Sequence, residues 1–273
     1  MDTAEGTVLP LRPLTVGELL DASIALLRRC GWPLLLLGLG LATAQQLLMI
    51  PFVADRGQIL PFDYWFLASW WLGGESVAIA VLAGPATAQA VTLLLGGTAL
   101  RGPVLLAAPG RRWLGTLAAA AVLGVLATVG VWLCVVPWIL VYALTGLVVP
   151  VLIADGARPA AVLTRPVRLV FQGDLRPAGV RLLAYLGWLA IRVAVVLAGR
   201  ILVQRLGTGL DPVVLTVVAA LPWIIVDTVA YPALACLDAC LHLENRMRTE
   251  GLDLALGRRP PGAQPGHGAM GAV

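Results

Sequence analysis

Apolar residues run along this chain in blocks too long for the core of a soluble domain, separated by short loops that carry arginine. A helix needs about 20 apolar residues to cross a bilayer core, and the pattern predicts six such spans. The first runs from Pro33 to Val53 and the second from Ser76 to Leu100. Trp113 to Ala154 contains no charged residue. As one helix those 42 residues would reach ~60 Å, twice the bilayer core, so the stretch must fold back. "CVVPW" (Cys134 to Trp138) is the predicted turn, because Pro137 cannot donate to a helical ladder. The fifth span is Val180 to Leu197 and the sixth Val213 to Leu241, where Pro222 and Pro232 predict kinks. The aromatic stretch "PFDYWFLASWW" (Pro61 to Trp71) is expected along the membrane surface, where Tyr and Trp concentrate.

Polar residues mark where helices begin and turn. Thr15 and Glu18 have capping-box spacing, and Val16, Leu19, Leu20, Ile24 and Leu27 then recur at helical intervals. Gly17, Glu18, Asp21, Ala25 and Arg28 take the other side, and Gly31-Trp32-Pro33 breaks the helix. Residues 15–29 thus predict an interfacial helix that lies on the cytoplasmic leaflet before the chain crosses it. A second amphipathic segment is predicted at 157–171, and "LRGPVLLAAPGRRWLGTLAAAAVLG" is a shorter version of the same arrangement. The expected fold is all-α: six transmembrane helices as three hairpins, each preceded by a cytoplasmic interfacial segment. Around this membrane domain of residues 15–256, residues 1–14 form an N-terminal cytoplasmic tail. The Pro/Gly-rich residues 257–273 have the composition of disorder.

Composition agrees with the pattern: 59% of residues are hydrophobic and 12% charged, about half the charged share of a soluble domain. All nineteen basic residues are arginine. With both termini in the cytoplasm, fifteen of them fall on the cytoplasmic side, the bias that orients bacterial inner-membrane proteins. The net charge of +4 therefore indicates anionic lipid, met through Arg28, Arg29, Arg111, Arg112, Arg165 and Arg168, rather than nucleic acid. No cleaved signal peptide is expected from the polar start. Cys30, Cys134, Cys236 and Cys240 are expected to be buried thiols, with no cofactor or metal.

The candidate functional residues are charges at membrane depth. Arg192 lies about twelve residues into the fifth span and Asp227 about fourteen before the end of the sixth, which places them at similar depth as an ion pair. A charge there costs at least ~2.5–3.5 kcal/mol unless partnered. Asp238, eleven residues beyond Asp227, is expected to meet headgroup-level arginines. Glu75, beside Gly73-Gly74, is expected at the outer interface. Gln45 and Gln89 predict interhelical hydrogen bonds. No nucleophile, phosphate loop or zinc motif accompanies them.

Three stretches carry a resemblance: "LRPLTVGELLDASIALLRRCGWPLL", "VPVLIADGARPAAVLTRPVRLVFQGDLRPAGV" and "HLENRMRTEGLDLAL". Together they resemble a family of bacterial, especially actinobacterial, polytopic membrane proteins labelled the glycerophosphoryl diester phosphodiesterase membrane domain, a relative of the YciC-like proteins. The resemblance implies six spans. The catalytic domain to which that family's label refers resembles a TIM barrel, for which this chain has neither the histidines nor the length. The combined expectation is a non-enzymatic accessory or assembly component of the cell envelope that works with a membrane-protein partner. The alternative is a solute or lipid transporter that uses Arg192 and Asp227.

Overall fold

The computed structural model describes residues 12, 14–54, 61–156, 164–172, 175–206 and 211–252. The predicted Pro/Gly-rich tail, most of the N-terminal tail and residues 157–163 of the second amphipathic segment lie outside these. Among the described residues ten helices follow in order: α1 (Val16–Cys30), α2 (Trp32–Ala54), α3 (Pro61–Leu94), α4 (Pro103–Ala107), α5 (Trp113–Leu133), α6 (Val135–Thr145), α7 (Val148–Pro150), α8 (Thr164–Gln172), α9 (Arg176–Leu206) and α10 (Pro212–Glu250). A 3-10 turn (Gly110–Arg112) leads into α5, and a π turn (Val151–Asp155) follows α7. No strand occurs among the described residues. Six helical stretches are long and apolar enough to cross a membrane, built on α2, α3, α5, α6 with its continuation to Asp155, α9 and α10.

Breaks fall where the backbone requires them. Gly31 has φ of +61° and its N–H closes on Leu27 O, which ends α1, and Pro33 then sits in the first turn of α2. Cys134 is fully extended between α5 and α6, and Pro137 occupies the first turn of α6, where its missing N–H is harmless. Gly251, at φ of +63°, follows the last residue of α10.

Three expectations are corrected. The aromatic stretch does not lie along the surface: it forms the first turns of one continuous 34-residue helix, α3. Nothing between Pro61 and Gly73 breaks the helix, and its rings find partners beside them. Phe62 packs edge-on against Trp132 of α5 at 5.4 Å, and Trp71 meets Trp223 of α10 at 4.5 Å. Second, α1 buries Leu19, Ala22, Ser23, Leu26, Leu27 and Cys30, while Ile24 is exposed. That face docks chiefly on α10, so its partner is protein. Third, α9 and α10 extend well past their predicted spans.

The centre of the bundle is the second half of α10, where every residue from Ala230 to Met247 is buried. It is flanked by α1, α2, α3 and α9. Small residues permit the close approach that association in lipid relies on. A Cβ on Gly38 of α2 would come within 2.8 Å of Pro232 Cγ and 2.9 Å of the Thr228 carbonyl oxygen on α10. Gly38→Ala should therefore lower stability by about 1–3 kcal/mol in detergent unfolding. Gly40→Ala, which adds its methyl to open space, should leave the midpoint unchanged.

Candidate functional site

Arg192 is the organising residue of the deepest polar cluster. Its side chain is 1% exposed, with Nη1 2.6 Å from Glu75 Oε1 of α3 and Nε 2.7 Å from Asp227 Oδ1 of α10. Glu75 Oε2 accepts a hydrogen bond from Tyr185 of α9 at 3.1 Å. The Tyr231 hydroxyl of α10 stands 3.1 Å from Asp227 Oδ2 and 2.9 Å from Gln45 Oε1 of α2. Gln45 in turn donates through Nε2 to the Trp71 carbonyl of α3 at 3.1 Å. Four membrane-spanning helices thus meet at one polar cluster, and the tyrosine rings shield the guanidinium on two sides, 5.8 and 5.3 Å from its centre.

One polar level further along α10, Arg181 of α9 forms a two-point pair with Asp238, Nε to Oδ1 at 2.7 Å and Nη2 to Oδ2 at 3.0 Å. It also donates to the Tyr142 carbonyl and lies 3.9 Å above that residue's ring. Beside this pair is a cavity of about 10 Å³, lined among others by Ser76, Tyr142, Thr145, Arg181 and Asp238. That volume is the lower bound for a single water.

The third level closes the end of the bundle. Asp155 Oδ1 accepts from Arg246 Nη1 at 2.8 Å and lies 3.3 Å from His242 Nε2, while Arg165 Nε approaches Oδ2 at 3.2 Å. Arg176 and Arg248 both donate to the Leu14 carbonyl and both pair with Glu244, which ties the entry to α1 onto α9 and α10. Asp227, Tyr231, Asp238, His242 and Arg246 recur along α10 every four or seven residues, so all lie toward one side of the helix. From Asp227 to Arg246 that side runs ~28 Å at 1.5 Å per residue, close to the bilayer core thickness.

The chain matches no family model, no curated protein and no solved structure. Its site is therefore read from its own geometry.

The structure brings Arg192, Asp227 and Glu75 into one cluster and sets Asp238 apart with Arg181. Glu75 is not interfacial: the helix begins fourteen residues earlier at Pro61, which carries Glu75 to the middle of the bundle. Asp238 meets Arg181, one of the arginines counted on the cytoplasmic side, and both are buried. Gln45 bridges α2, α3 and α10, whereas Gln89 of α3 accepts from the Leu100 amide just beyond its own helix. Cys30, Cys236 and Cys240 are buried, but Cys134 is exposed at the break between α5 and α6. No cluster of metal-ligating side chains occurs among the described residues. Of the arginines assigned to lipid, Arg28, Arg29, Arg111 and Arg168 are exposed. Arg112 instead donates to the Ile153 carbonyl, and Arg165 bridges Asp155 and Glu250.

At the start of α1, Glu18 Oε2 accepts from the Thr15 amide at 2.8 Å and Thr15 Oγ1 accepts from the Glu18 amide at 3.3 Å. The Arg12 guanidinium, 2.6 Å away, and the Thr15 backbone and hydroxyl hold the Glu18 carboxyl down at about 2, from an ordinary value of 4.5. The cap thus contributes fully above 4.5 and fades as pH falls from there toward 2. Protection of the Thr15 to Leu19 amides against hydrogen exchange, relative to their intrinsic rates, should fall as pH drops across that window, and Glu18→Gln should flatten the dependence.

Proposed function

We propose that this chain is a non-enzymatic membrane scaffold, an accessory or assembly component of a bacterial cell envelope. The observation that carries the reading is how the intramembrane charges are used. Glu75, Arg192 and Asp227 pair with one another across α3, α9 and α10, Arg181 pairs with Asp238, and the cavity beside that second pair holds about one water. A transporter's site at such depth lines a space that admits its cargo; here the charges hold helices to one another.

The same reading places both termini in the cytoplasm, with three hairpins each led by a segment on that side. The arginine bias supports this orientation. Arg28 and Arg29, exposed at the end of α1, meet anionic headgroups. Cysteines introduced at Asp21 and Asp63, each in a background that carries Cys134→Ser, test the orientation. Labelling by an impermeant reagent is expected at position 63 in intact cells and at position 21 only after lysis.

Purification from the native membrane in mild detergent, with mass spectrometry of what remains, tests the role. A scaffold should retain a protein partner at fixed stoichiometry, and the complex should re-form from the two purified components. A homogeneous preparation that holds no foreign protein and retains one solute or lipid would overturn the scaffold reading in favour of transport.

A further inference from the structure

We infer that Asp227 is a proton-binding site in the middle of the membrane. The inference rests on a count of protons in one hydrogen-bonded chain. The Tyr231 hydroxyl has a single proton but stands within bonding distance of two oxygens, Gln45 Oε1 at 2.9 Å and Asp227 Oδ2 at 3.1 Å. The orientation of Gln45 is set from its other end. Its Nε2 donates to the Trp71 carbonyl at 3.1 Å, and a flipped amide would point oxygen at oxygen. Gln45 therefore presents an acceptor to Tyr231, so one hydroxyl proton stands between two oxygens. Both contacts are hydrogen bonds at once when Asp227 supplies a second proton. Oδ2 then carries a hydrogen and donates to the tyrosine oxygen, while Oδ1 still faces Arg192 Nε at 2.7 Å.

Charge gives the same answer independently. The charged groups facing Asp227 are Glu75 from α3 and Arg192 from α9, with the hydroxyls of Tyr231 on its own helix and Tyr185 on α9; α2 contributes only the neutral Gln45. With both carboxylates ionised the cluster carries one net negative charge, each carboxylate side chain no more than 2% exposed. Two carboxylates that share one cation in a low dielectric favour holding a proton between them. Tyr185 donates to Glu75 and has no second acceptor among the described residues, whereas the Tyr231 proton is shared between Asp227 and Gln45. A proton on Asp227 makes Glu75–Arg192 a neutral pair.

The test is infrared spectroscopy of the full chain in lipid at neutral pH, read at the carbonyl stretch of a protonated carboxylic acid. The wild type should show that band, and deuterium oxide should shift it. Asp227→Asn should abolish it while keeping the fold, because the amide reproduces the donor to Tyr231 and the acceptor for Arg192. Glu75→Gln should also abolish it, because Arg192 then takes Asp227 as its sole counterion. Should D227N fail to fold, heavy-isotope labelling of aspartate carboxyls in the wild type decides. A shifted band supports the assignment, and a band that moves only with labelled glutamate overturns it. Absence of the band in the wild type, its indifference to deuterium oxide, or its survival in D227N would each overturn the proposal.

Discussion

Arg192→Met should leave the protein unable to hold its fold in the membrane, read as loss of the monodisperse detergent-purified species and rapid degradation in cells. The substitution keeps an unbranched apolar stem and removes the cation that pairs with both Glu75 and Asp227. Breaking a buried pair by deleting one partner costs about 3–5 kcal/mol, a large share of the 5–15 kcal/mol that holds an ordinary domain together. The loss should be reversible in the same background. Combining R192M with Glu75→Gln and Asp227→Asn removes the stranded charges, and the triple variant should recover most of the yield and thermal midpoint. If R192M alone were as stable as the wild type, the cluster would not be what joins α3, α9 and α10.

The second large effect is expected at Arg181 and Asp238. Arg181 pairs through two nitrogens, is capped by the Tyr142 carbonyl and ring, and is 8% exposed. Asp238→Leu should cost about 3–5 kcal/mol because that guanidinium stays buried without its anion, and Arg181→Met should cost a similar amount through the stranded carboxylate. The double variant should cost far less than the two losses added, since apolar replacement of a buried pair is often neutral. Unfolding of all four forms in one detergent measures this coupling. Additive losses would mean that the two residues act separately.

How much of this was legible beforehand depends on which property each residue reveals alone. The spans are written in composition, because a run of twenty apolar residues has few other uses. Arg192 and Asp227 stand out because no other charge lies near them in sequence. Glu75 hides because two glycines and a tryptophan-rich stretch precede it, and those same aromatic residues serve equally at an interface or inside a helix packed on Trp132 and Trp223. Arg181 hides for a different reason: five residues into α9, it counts naturally with the headgroup arginines, and only the close approach of α10 shows its partner. The rotation of α1 follows from its docking partner. Its face is set by α10, whereas amphipathicity alone describes a helix against lipid. The spacing of Asp227, Tyr231, Asp238, His242 and Arg246 was available in the sequence and would have marked one side of α10 as polar throughout.

That polar side also bears on how the protein is made. The ribosome delivers α10 after α2, α3, α6 and α9, yet α10 supplies a partner at each of the three polar levels. Until it arrives, Arg181 lacks its carboxylate, Asp155 lacks Arg246 and His242, and the pocket for Tyr231 stands open. The three polar levels are therefore complete only once α10 has docked, so the last of the helices to be made is the one that closes the structure.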